Sequence, residues 1–273
     1  WMCGVGLFQG NADGSIQPKA TATRAQVATI LMRFDALKLT PVEETPAEPA
    51  AAYIETEITF EVAEQEGVPA HTVTGILTVP TAATKAAPVP GVVMLHGTGS
   101  NLHEVLGAYD TAAQEMAKKG IATLRFNFQG IGDGKEAEYV NYSYTSANID
   151  AKAAADYLAK LETVDGEKLG VMGWSQGGTN ALLAAAAYPE TFKAVVTWAG
   201  ALDLTGLFAD FDAAAAEAAE KGFVNLVQDW RTDLPHGAKW FEDVKNTDVL
   251  AKAKTITAPI LTINGEKDDV VDP

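Results

Sequence analysis

The spacing of hydrophobic positions changes twice along this chain. Val27, Ile30, Leu31 and Phe34 recur at i, i+3, i+4 and i+7, which predicts one buried face of a helix. Thr23 stands at its head as a cap, and Gln26, three residues later, can return the bond. The turn-rich stretch Gly10–Gly14 and then Pro18 lead into it, so residues 1–37 read as a loop feeding a capped helix. Residues 38–52 follow a different rule. Pro41, Pro46 and Pro49 stand among Glu43, Glu44 and Glu48, a composition that builds no core and predicts an extended linker.

From Tyr53 the pattern becomes strand-like. Ile54, Ile58, Phe60 and Val62 alternate with polar residues, as do parts of His71–Val79, which predicts two half-exposed antiparallel strands. After Pro90 the chain settles into continuous apolar runs at Val92–Leu95, Ile121–Phe126, Leu169–Met172, Ala194–Trp198 and Ile260–Ile263. Helical patterns separate them, one with Tyr109, Ala112, Ala113, Met116 and Ala117 on a single face. Strands buried on both faces and alternating with helices predict an α/β fold, a mostly parallel sheet sandwiched by helices, with ligands at the carboxyl ends of the strands. About residues 200–257 interrupt that alternation as an insertion rich in aromatics. Phe208, Trp230, His236 and Trp240 are candidates for a substrate pocket under a lid. The same aromatics serve equally well as the insertion's own core. Its Ala- and Glu-rich stretch Asp212–Lys221 predicts a solvated helix.

Composition removes several classes of function. In 273 residues, 36 Asp and Glu against 20 Lys and Arg leave a formal net charge of −16, which repels a phosphate backbone over most of the surface. A nucleic-acid partner is therefore not expected. Cys3 is the sole cysteine, so neither an internal disulfide framework nor a cysteine metal cluster can form. A calcium-loop reading of Asn11–Gly14 fails because Gln9 and Ala20 would occupy ligand positions. No apolar run approaches the roughly 18 residues of a membrane span. The chain starts at Trp1 without a visible secretory signal and stops at Pro273 without a closing helix, so a fragment open at both ends is expected.

The strongest chemical signal is Gly173-Trp174-Ser175-Gln176-Gly177-Gly178, between the apolar run Leu169–Met172 and the helical stretch Thr179–Tyr188. A turn this tight strains its central residue, and glycines two positions before and after it avoid side-chain clashes. Ser175 would stand at the sheet's rim as a nucleophile. Such a nucleophile needs an oxyanion hole, a base and a carboxylate that orients the base. The Gln176 N–H, at the start of a helix, supplies one oxyanion donor. The loop after Val92–Leu95 reads His96-Gly97-Thr98-Gly99-Ser100 and points to Thr98 for the second. Neither this loop nor Gln129–Gly134 fits the G-x-G-x-x-G template, so no nicotinamide or other cofactor, and no metal, is expected. The carboxylate is sought after Ile260–Ile263, where Asp268 is the first choice and Asp269 the reserve.

With these elements in hand, residues 53–273 resemble the α/β-hydrolase family, and within it the bacterial esterases and dipeptidyl-peptidase-like hydrolases. The match rests on His96–Gly99, Phe126–Asp133, the Ser175 elbow and Gly265–Asp268. Asn127 and Gln129 depart from the family pattern F-D-F-R-G-x-G-D. The resemblance implies a base histidine beyond the acid, whereas His71, His96, His103 and His236 all precede Asp268. Without that base, only about 10³ to 10⁴ of acceleration over water is expected. Gly6–Pro18 with Thr23-Arg24-Ala25-Gln26 is similar to the second part of an S-layer homology repeat. That resemblance implies binding to cell-wall polysaccharide, with Arg24 as the contact for an acidic sugar.

The combined expectation is an extracellular, wall-associated serine hydrolase that cleaves carboxylic esters, small or linked to polysaccharide, through an acyl-enzyme. A prolyl-oligopeptidase-type peptidase and a catalytically dead wall-binding protein are the alternatives.

Overall fold

The computed structural model describes residues 51–273, apart from Asp133, Trp230, Asp269, Asp272, Pro273 and the side chain of Thr232. The capped helix and Arg24 of the first 37 residues, most of the linker, and Trp230 lie outside the described residues.

Seven strands form one sheet in the order β1-β2-β4-β3-β5-β6-β9. β1 (Tyr53–Val62) and β2 (His71–Pro80) pair antiparallel, with Tyr53 opposite Pro80, as the alternating pattern predicts. β2 runs antiparallel to β4 (Ala122–Phe126). From there, β3 (Val89–Leu95), β4, β5 (Val164–Trp174), β6 (Phe192–Trp198) and β9 (Ile260–Ile263) run parallel, so their carboxyl ends share one rim.

Alternation along the parallel strands sorts side chains onto two faces. Met94 and Met172 pack with Tyr109 and Ala113 of α1 (Ala108–Lys118), with Met116 and Ala112 beside them. Val93, Leu95 and Val171 face the larger core under α2 (Tyr144–Ala159) and α3 (Gln176–Ala187). The α2 helix starts at a capping box in which Ser143 and Ser146 bond each other's backbone N–H groups. Ala147, Ala151, Ala154 and Ala155 of that helix are buried, and small side chains let it lie close to the sheet.

The insertion has a two-stranded sheet that its sequence pattern did not announce. α4 (Phe211–Lys221) leads into β7 (Phe223–Gln228), which pairs antiparallel with β8 (Arg231–Gly237). α5 (Ala238–Asn246) and the short α6 (Val249–Ala253) return the chain to β9. The α4 helix is capped by Asp210 and ends at Gly222, whose φ of 93° is one that a side chain rarely adopts.

Candidate active site

The sharp turn predicted at Ser175 is present. Ser175 has φ 53° and ψ −123°, a backbone state that costs a non-glycine residue about 1–3 kcal/mol. Three main-chain hydrogen bonds hold it there. Its N–H donates to the Trp198 carbonyl at 3.0 Å, and its carbonyl accepts from Gly178 at 2.8 Å and Ala201 at 3.0 Å. The flanking glycines are required by contact. A Cβ on Gly173 would run into the Gly177 carbonyl, and one on Gly177 into the Leu95 carbonyl. Strands β3, β5 and β6 thus meet at one half-buried serine.

Ser175 also caps α3, and its side chain makes no capping bond. The helix-start N–H of Gln176 has no acceptor among the described residues, and neither does the N–H of Thr98. Both predicted oxyanion donors are therefore available. The loop that carries Thr98 is seated on the nucleophile: a Cβ on Gly97 would lie 3.2 Å from Ser175 Cβ. The Thr98 hydroxyl donates to Gln176 Oε1, which ties the two donor residues together.

One residue that the sequence reading passed over completes this loop. Glu104 is 6% exposed, and its φ is 56°. Its Oε1 accepts from the Gly97 N–H, and its Oε2 accepts from the Ser100 hydroxyl at 2.8 Å and from the Val105 N–H at 3.1 Å. Burial pushes its carboxyl above the usual carboxylate range, against the pull of those three donors. A lone glutamate in a polar loop gives no pattern, so only its spacing after His96-Gly97 could have singled it out. Asn127, one of the two departures from the family pattern, accepts from the Leu102 N–H at 2.8 Å and joins the same loop to the end of β4.

Asp268 stands beyond the end of β9. The Ala199 N–H donates to the Ile263 carbonyl at 2.7 Å, so that strand end lies on the same rim as the elbow. Asp268 Oδ1 accepts from Val271 at 2.9 Å and Val270 at 3.0 Å, and these bonds hold its carboxyl below the usual range. Its reserve, Asp269, lies outside the described residues.

The four histidines are engaged elsewhere. His96 bonds the Gly97 carbonyl through Nδ1 at 2.8 Å, and its Nε2 accepts from the Phe128 N–H at 3.2 Å. Burial lowers its pKa to about 4, so it is a neutral support for the loop. His71 bonds Asp150 at 2.9 Å and the Pro69 carbonyl at 2.8 Å. Burial alone would lower its pKa, but the Asp150 carboxylate outweighs that effect and raises it. His103 bonds Asp110 at 2.8 Å on the surface.

His236 is fully buried, bonds the Leu234 carbonyl at 3.2 Å and has a pKa lowered to about 4 by that burial. It packs edge-on against Trp240 at 4.6 Å and against Phe208 at 5.5 Å. Trp240 is likewise 0% exposed. His236 and Trp240 thus fill the core of the insertion, the second of the two readings that their sequence allowed, while Phe208 is partly buried against them. The residues that reach the oxyanion loop are instead on β8. A Cβ on Gly99 would meet Arg231 Cγ and Leu234 Cδ2, each at 3.3 Å.

Among known proteins, the prolyl oligopeptidase family matches residues 108–273. The 2,6-dihydropseudooxynicotine hydrolase of Paenarthrobacter nicotinovorans is 34% identical over 122 residues, which are 43% of this chain. The chain spans 30% of that relative's length. The serine hydrolase BPHL of Homo sapiens is 26% identical over 70% of this chain and 72% of its own. Est1E from Butyrivibrio proteoclasticus, solved with ferulic acid bound, has the same fold at 19% identity and a TM-score of 0.57, over 78% of this chain and 80% of its own. The mostly parallel sheet flanked by helices is an α/β-hydrolase fold.

Proposed function

This chain belongs to the prolyl oligopeptidase family, and we propose that it is a serine hydrolase that cleaves carboxylic esters through an acyl-enzyme on Ser175. The observation that carries the reading is the strained elbow, with the unbonded N–H groups of Gln176 and Thr98 beside it. Ser175 Oγ attacks the ester carbonyl, and the carbonyl oxygen takes the developing charge. The two N–H groups stabilise that oxyanion, a contribution of about 10²–10³ in rate for each donor. A general base takes the serine proton and returns it to the departing alcohol oxygen, and water, losing a proton to that base, then releases the acid and restores the serine. Asp268 is the acid that orients the base. The base is none of His71, His96, His103 or His236, whose bonds leave them unsuited to take the Ser175 proton.

A feruloyl or acetyl ester on a polysaccharide is the substrate class we favour. Supporting it are the fold shared with the ferulic-acid-bound Est1E and the hairpin β7–β8 laid on Gly99, which can act as a lid over an acyl group. The S-layer-like segment, with Arg24 as its sugar contact, would hold the enzyme at the bacterial surface where such polymers are handled. The second reading is a peptidase, which the family's membership favours.

The test is labelling with a fluorophosphonate probe, on this chain and on the complete gene product, each beside Ser175→Ala. Fast labelling of the gene product that is lost in the alanine variant supports the hydrolase, with this chain labelling far more slowly. No labelling of either form leaves the catalytically dead wall-binding protein. Methyl ferulate and a prolyl amide substrate, turned over in parallel, then decide between ester and peptide.

A further inference from the structure

We propose that Glu104 is a positioning residue for the oxyanion hole, acting through Gly97 and Ser100 and not on the substrate. The proposal rests on the serine-hydrolase reading of Ser175. Two costs coincide at this residue. Its backbone sits at φ 56°, outside the region that non-glycine residues ordinarily adopt, and its carboxyl is buried with no cation among the groups that shift it. Strain and burial of this kind persist where the surroundings impose them, and they cluster at functional sites.

What they secure is the loop that carries Thr98. Gly97 is wedged: a Cβ there would lie 3.2 Å from Ser175 Cβ on one side and 3.3 Å from Glu104 Oε1 on the other. The Gly97 N–H donates to that same Oε1, so the carboxyl fixes the peptide immediately before the one whose N–H Thr98 presents. Its second oxygen binds the Ser100 hydroxyl, which holds the other end of the loop. Capping the single turn Val105–Gly107 would need only a short side chain on the Val105 N–H. The reach back to Gly97 needs the longer one. Oxyanion donors work at 2.7–3.1 Å, and a misplacement of about 1 Å costs on the order of 10² in rate.

The test compares Glu104→Ala with Glu104→Gln. Glutamine keeps a carbonyl for the Gly97 N–H and an amide that can donate to the Ser100 hydroxyl, and it gives up only the Val105 N–H bond. In Glu104→Ala, the maximal rate of fluorophosphonate labelling at Ser175 is expected to fall about 100-fold, with the probe's concentration dependence unchanged. Glu104→Gln is expected to recover most of that loss, to within about tenfold of the parent. Amide exchange at Gly97, measured by ¹⁵N NMR on the resting protein, is expected to speed up in the alanine variant and to stay slow in the glutamine one. A loss confined to probe affinity, an alanine variant that labels like the parent, or a glutamine variant no better than alanine would each overturn the proposal. If the parent itself does not label, the hydrolase reading fails, and Gly97 exchange alone then decides whether Glu104 holds the loop. If the alanine variant does not fold, labelling and exchange in Glu104→Gln carry the test: fast labelling with slow Gly97 exchange supports the proposal, and any other pair of results rejects it.

Discussion

The elbow at Ser175 and the turn at Asp268 lie on the same rim of the sheet, yet they are held in opposite ways. Ser175 sits where three strands meet, with its main chain bonded to Trp198, Gly178 and Ala201 and glycines packed against carbonyls on either side. Asp268 follows a strand whose four residues are all exposed, Leu261 at 56%, and among the described residues its carboxyl is bonded within its own turn. The position of Ser175 is imposed by three strands of the sheet. The Asp268 carboxyl is held locally, by two backbone N–H groups.

That contrast can be broken most directly at Gly177. Gly177→Ala would drive a methyl group into the Leu95 carbonyl, and a loss of more than about 4 kcal/mol, read as a collapsed thermal midpoint or no soluble protein, is expected. Asp268→Asn should show the reverse pattern. Activity of the complete gene product is expected to fall about 10⁴-fold, while stability stays within about 0.5 kcal/mol. Equal destabilisation by the two variants would erase the distinction.

Acid provides a third probe. His96, beside the elbow, and His236, in the insertion, both have pKa values lowered from 6.5 to about 4 by burial. The unfolded chain takes up these protons at about pH 6.5 and the folded chain only near pH 4. Stability is therefore fully present above pH 6.5 and is lost as the pH falls towards 4, by about 3 kcal/mol for each histidine. Calorimetry between pH 7 and 4 should show the fall, and His236→Phe, which also removes an Nε2 with no partner among the described residues, should make it shallower. The Asp268 carboxyl contributes in a lower window, since its lowered pKa means that its share is present above the usual carboxylate range and lost below it. At Ser175 itself the sign reverses. Ser175→Gly relieves the φ of 53° and should raise stability by about 1 kcal/mol while ending reactivity.

The same contrast sets how much the sequence could reveal. The β5-elbow-α3 unit is readable because its requirements are local: an apolar strand, glycines at fixed offsets and a helix start, all within Leu169–Tyr188. Thr98 and Gln176 followed from it by chemistry. The α2 helix was not specified, because most of the residues it buries between Ile149 and Leu158 are alanines, too weakly hydrophobic to make its inner face stand out. The β7–β8 hairpin was missed because Phe223 and Val227 are exposed while Leu226 and Leu234 are buried, too few alternations to stand out from a loop. Glu104 was invisible for a different reason. Its partners Gly97 and Ser100 are fixed only when the loop folds back on itself, and no periodicity encodes that return.

The three main-chain bonds of the elbow also constrain when it can form during synthesis. Ser175 donates to Trp198 and accepts from Ala201, so the strained turn has no support until β6 has emerged and docked beside β5. The Gly177 contact further requires β3, some 80 residues upstream, to be in place. Until those pairings close, Ser175 lacks the main-chain bonds that hold its strained backbone, so the elbow is a product of long-range contacts and not of its own six residues.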